Sequence, residues 1–208
     1  MGKGRGAPAG FGEGVMALLY PRVALSDLPA MFRQATIGGL VAGCYGVVHD
    51  QITYSISQEY FTRFKFAQFH FADFGFPTRV FVAEIGFLAT WWVGFLVAWF
   101  MARLTVPTFP RALAFRLNLR GFILLLAFAV GAGAIGYGLG LCHGADYAAW
   151  DGWKARLGVL DLPSFVRVAY VHNASYLGGL VGLVAALLYL RKAKQRSLAG
   201  QSAGARPA

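Results

Sequence analysis

Four stretches of the chain are apolar enough to enter a bilayer, and polar, charge-bearing segments separate them. The third, Gly121 to Cys142, is 22 residues long and carries no charge. The second, Val80 to Ala102, is 23 residues long and carries one, Glu84. The fourth, Val168 to Leu190, has His172 and Asn173 near its start and Arg191 and Lys192 at its end. Each is long enough to cross about 30 Å of hydrocarbon as a helix. The first, Ala35 to Val48, has 14 residues, a length that also suits a re-entrant or interfacial segment. Extending it back to Ala30 makes a crossing possible, with Arg33 snorkelling towards the headgroups. The pattern predicts an all-α fold: an integral membrane bundle of four transmembrane helices, at about 30–48, 80–102, 121–142 and 168–190.

The segments between the spans are not all tethers. Residues 1–29 form an N-terminal arm, polar and Gly-rich to Gly14; its apolar run Val15 to Tyr20 is short and stopped by Pro21, so no cleavable signal peptide is expected. Residues 191–208 form a basic tail that becomes small and polar from Ser197 and is expected to be disordered. Between spans one and two, Ser57 is placed to cap a helix whose second residue, Glu59, suits a helix N-terminus. Tyr60, Phe61, Phe64 and Gln68 then follow one face, and Phe69, Phe71, Phe74 and Phe76 continue in another rhythm. This predicts an amphipathic segment lying in the membrane interface. Tyr147, Trp150 and Trp153 predict a second short interfacial helix. The pairs Gly39/Gly43, Gly136/Gly140 and Gly178/Gly182 have the spacing that lets helix backbones approach. They suit packing within the chain first, and a homo-oligomer or another membrane-protein partner second.

Composition sharpens this picture. Hydrophobic residues make up 57% of the 208 and charged residues 13%, against about 25% charged in a soluble domain. Mean hydropathy is +0.54. A disordered chain, a coiled coil and a nucleic-acid-binding tail are excluded. The net charge of +10 reads as an orientation signal. Thirteen of the 19 Lys and Arg lie in the N-terminal arm, the connector between spans two and three, and the C-terminal tail; six lie in the other two connectors. The positive-inside rule then places both termini in the cytoplasm of a bacterium, with the protein in its inner membrane and the lipid bilayer as its partner. Cys44 and Cys142 are expected to be free thiols.

That topology gathers the candidate chemistry. His49, Asp50, Glu84, His143, His172 and Asn173 all fall at the outer membrane boundary, on four different helices. Ionisable groups within a span usually face a cavity or a partner. Imidazole and carboxylate together suit a divalent metal, which makes His49, His172 and Glu84 candidate ligands. Glu84 and Asp50 are candidate catalytic carboxylates, and Asn173, Tyr176, His143 and Glu59 surround them. An ion keeping one open position would activate water, giving a metal-assisted hydrolase or transferase acting on a lipid or lipid-linked group. Two other functions stay open. One is a non-catalytic assembly or accessory subunit of a larger membrane complex, in which the polar residues only lock helix ends together. The other is a haem protein with His49 and His172 as axial ligands. A proton path is not expected, because nothing polar continues it through span three.

Two blocks carry a resemblance. HDQITYSISQEYFTRFKFAQF, His49 to Phe69, and HNASYLGGLVG, His172 to Gly182, together 32 of the 208 residues, resemble an uncharacterised family of bacterial multi-pass membrane proteins. The resemblance implies that the two blocks belong to one module, and it brings no catalytic role with it.

Overall fold

The apolar runs become long helices in the computed structural model, which describes residues 23–142 and 147–204. Among the described residues all regular structure is helical. Helix α1 spans Leu28–Ile56 and has a proline in its first turn, where a missing N–H is harmless. Three short pieces follow: Gln58–Tyr60, a π-helical turn Phe61–Lys65, and Phe66–Gln68. Together these are α2, residues 58–68. Helix α3 is Thr78–Thr105, α4 is Arg111–Cys142, α5 is Asp151–Leu157 and α6 is Leu162–Gly204.

Helices α3, α4 and α6 are each long and apolar enough to cross a membrane. Helix α1 matches them in length, at 29 residues, but carries Arg33, Gln34, His49, Asp50 and Gln51. It runs eight residues past the boundary expected at Val48, its last turn closed by the Ser57 N–H on the Thr53 carbonyl. Arg111, Arg116 and Arg120, expected in a connector, lie in the first turns of α4, and only residues 106–110 link α3 to α4. Helix α6 runs on to Gly204, through the basic stretch expected to be disordered; Arg, Lys, Ala and Gln there are good helix formers.

The bundle is two tightly zipped hairpins, α1 with α3 and α4 with α6, joined along a looser seam. Small residues make the zips. At the closest point of the first hairpin, a side chain on Gly46 would strike the Gly86 carbonyl, and one on Gly86 would strike the Gly46 backbone. Thr90 Oγ1 donates 2.8 Å to the Ala42 carbonyl in the same crossing. In the second hairpin Gly136 lies against Ala174 and the Tyr170 carbonyl, and Gly178 against Ala132 and the Phe128 carbonyl. Gly39, Gly43, Gly140 and Gly182 likewise meet residues of the partner helix in their own hairpin.

Each end of the bundle has its own fastening. At the link end, Asn118 Nδ2 donates to Gln34 Oε1 and Thr105 Oγ1 donates to Asn118 Oδ1, joining α1, α3 and α4. At the opposite, connector end, α2 and the segment around α5 close over the helices. Ser57 caps α2 by accepting from the Tyr60 N–H, as expected, and the stretch from Tyr147 is helical too. The π turn, closed by the Phe66 N–H to the Phe61 carbonyl, changes which face looks inward. Tyr60, Phe61 and Lys65 are buried there, whereas Gln68 is exposed. Gly158, at φ +65, ends α5.

Glu59 ties the two connectors together. Its carboxylate accepts the Leu160 N–H at 3.0 Å and the Asp161 N–H at 2.7 Å, at the start of α6. Glu59→Ala is expected to lower stability by about 1 kcal/mol, in the range for losing such a cap, read as a small drop in melting temperature.

Candidate functional site

At the connector end α1 becomes polar while still helical, and the seam between the hairpins brings its last turns against α6. His172 of α6 is 2% exposed. Its Nδ1 lies 3.0 Å from the Val168 carbonyl. A carbonyl only accepts, so Nδ1 carries a hydrogen and Nε2 is presented to the seam. Nε2 stands 3.3 Å from Asp50 Oδ1. The other oxygen, Asp50 Oδ2, is buried with no hydrogen-bond partner among the described residues.

His49 completes the group. Its ring meets that of His172 edge to face, with centroids 4.8 Å apart, and its Nδ1 is 3.4 Å from the Tyr45 hydroxyl. One ligand atom from each of His49, Asp50 and His172 lies within 4.8 Å of the others. From α2, the Tyr60 ring stacks on His172 at 4.9 Å. Burial raises the Tyr60 hydroxyl's pKa, and the Tyr176 and Asp50 charges add to this.

Lys65, at the end of the π turn, is 6% exposed and faces the same space. No carboxylate reaches its ammonium within ion-pair distance among the described residues; the ammonium stands 5.9 Å from the centre of the Phe69 ring. Burial lowers its pKa, and the Asp50 charge pushes back.

These groups form the polar end of a cavity of about 350 Å³ that continues between the hairpins. All four long helices line it. Past Thr90 its walls are apolar, among them Val93, Val97, Leu125, Leu126, Leu180 and Leu183. Val93, Tyr176 and Leu180 are among the exposed residues of the chain and lie well inside their helices, so the cavity opens sideways.

Comparison with known protein families, with curated proteins and with solved structures gives no match. The geometry alone therefore carries the reading of the protein.

Of the residues singled out from the sequence, His49, Asp50 and His172 come together, and Tyr176 lines the cavity 6.2 Å from His172. Glu84 stands outside the group of three and outside the cavity wall; it is half-buried, with Oε2 lacking a hydrogen-bond partner among the described residues. Its depth along α3 was legible and its direction was not, since rotation about the helix axis is set by the α1–α3 zip. Asn173 is exposed, one residue round from His172. Glu59 serves the connector tie, and His143 lies outside the described residues.

Sequence reasoning missed Lys65. It sits among phenylalanines beside exposed Arg63, yet it lies four residues after buried Phe61, and helical spacing puts it on the inward face and Arg63 on the outer one. The arrangement can hold a divalent cation between two imidazoles and a carboxylate. It does not suit a haem between the histidines, because rings in contact at 4.8 Å leave no gap for a macrocycle.

Proposed function

We propose that the protein is a multi-pass protein of the bacterial inner membrane with four spans, α1 being the first, and with both termini cytoplasmic. His49, Asp50 and His172 form a divalent-metal centre at its outer boundary, and this centre serves metal-assisted hydrolysis or group transfer on a lipid or lipid-linked group. The length of α1 and its zip against α3 support the fourth span, and the distribution of Lys and Arg supports the orientation. The observation that carries the reading is the convergence of the three donors on one lateral cavity. Fixing a ligand histidine by an Nδ1–H to a backbone carbonyl is a common feature of metal sites, and the orphaned Asp50 Oδ2 leaves a further lone pair for an ion or its water. Drawing the donors onto one ion takes shifts of roughly an ångström. Asp50 fills the carboxylate place first given to Glu84. A bound ion would lower the pKa of its water, and the open side of the centre faces the cavity.

The test is metal analysis of the purified full chain. Wild type is expected to hold close to one divalent ion per chain and Asp50→Ala only background, with both variants helical and eluting alike. Background metal in wild type, with no uptake of added zinc or manganese, would overturn the centre. That result would favour the second reading, an accessory subunit in which Asp50 and His172 are a plain ion pair. The exposed Trp92, Leu96 and Phe100, four residues apart on one side of α3, would then be its contact face.

A further inference from the structure

Lys65 is an ammonium withdrawn from water with no anion of the protein in ion-pair reach among the described residues. Burying a charge unpaired is costly, and this one borders a cavity. Asp50, the only acid among the described residues of the cavity wall, already has Oδ1 against His172. An ammonium without an anion, bordering this space, is a donor waiting for an anionic oxygen.

The rest of the cavity narrows the choice of anion. A free inorganic anion would fill the polar end and leave the stretch between Val93 and Leu183 empty. That stretch is apolar and opens sideways past Val93 and Leu180, at a depth where lipid chains lie. At about 350 Å³ the space is near the lower end of ligand cavities, so it suits one hydrocarbon chain. Lysine is an established point-charge binder of phosphate.

We propose that the cavity takes a membrane lipid bearing a phosphate, with Lys65 on the phosphate oxygens and one hydrocarbon chain in the slot between the hairpins. The inference rests on the membrane placement proposed above and deepens it by naming the substrate class. It does not require the metal.

Three probes separate the sources of the signal: dodecyl phosphate, dodecanol and inorganic phosphate, each titrated against the purified full chain in detergent and read by native mass spectrometry. Dodecyl phosphate is expected to bind once per chain, with dodecanol and inorganic phosphate about tenfold weaker or more. Lys65→Met is expected to weaken dodecyl phosphate about tenfold or more, the scale of one charge-assisted hydrogen bond, and to leave dodecanol unchanged. Leu180→Trp, at the exposed rim, blocks the slot and is expected to weaken dodecyl phosphate while leaving inorganic phosphate alone. It also decides the matter if Lys65→Met fails to fold. Equal binding of dodecyl phosphate and dodecanol, or binding indifferent to both variants, overturns the proposal. Metal content is measured on the same samples. Loss of the metal reading with these results intact removes the centre and keeps the lipid site, and the reverse pattern removes the lipid site alone.

Discussion

Gly86→Ala is expected to unfasten the first hairpin. The added methyl would sit against the carbonyl oxygen, the carbonyl carbon and the following amide of Gly46 and Val47, all backbone atoms. A flexible side chain could swing away from it; the peptide of α1 cannot. Overpacking of a close-packed contact typically costs about 1–3 kcal/mol, and Gly86→Ala should fall at or above the top of that range. The damage would reach the site, because His49 and Asp50 follow Gly46 within about one turn of α1. The expected result is a marked drop in melting temperature in detergent and a loss of bound metal in the same preparation. Gly131→Ala is the matching control. Nothing lies within 4 Å of a side chain there, and replacing a mid-helix glycine by alanine is expected to raise stability by about 0.5–1 kcal/mol. A Gly86→Ala protein as stable as wild type would remove the close crossing from the account of the fold.

His172→Ala is expected to be the most damaging change at the site. It deletes a ring that is 2% exposed and stacked on Tyr60, and it strips Asp50 of its one side-chain partner. Leaving a buried carboxylate without its partner is strongly destabilising, by about 3–5 kcal/mol where both members are charged. The second cost can be read separately. In the double variant Asp50→Asn/His172→Ala the carboxylate charge is gone, so the combined loss should be smaller than the two single losses added together. A coupling of about 1–3 kcal/mol is expected for residues in such contact, measured by denaturation of all four proteins. Strict additivity would mean that the two side chains do not act on each other.

Much of this arrangement is visible in the chain before any coordinates. Long apolar runs announce α3, α4 and α6, because only a helix keeps so many backbone groups bonded in lipid. Ser57 and Glu59 announce a helix start, and the cap forms. The meeting of His49 and Asp50 with His172 follows from counting residues along helices of known rise. What stayed hidden depends on rotation and on irregular backbone. The direction of Glu84 is fixed by how α3 turns against α1, and no period in the sequence encodes that angle. The end of α1 was placed too early because Gln51, Thr53 and Tyr54 look like loop residues by hydropathy, yet hydrogen-bond well inside a helix. Lys65 shares the inward face of Phe61 by helical spacing, but a basic residue in that segment reads by hydropathy as solvent-facing.

The looseness between the two hairpins gives the site a mechanical meaning. His49 and Asp50 ride on one rigid half of the molecule and His172 on the other. An occupant held by all three would therefore act as a rivet through the joint, and the joint in turn would set the gauge of the hole. Anything that tilts one half against the other, the thickness of a surrounding membrane included, would change the spacing of the three side chains.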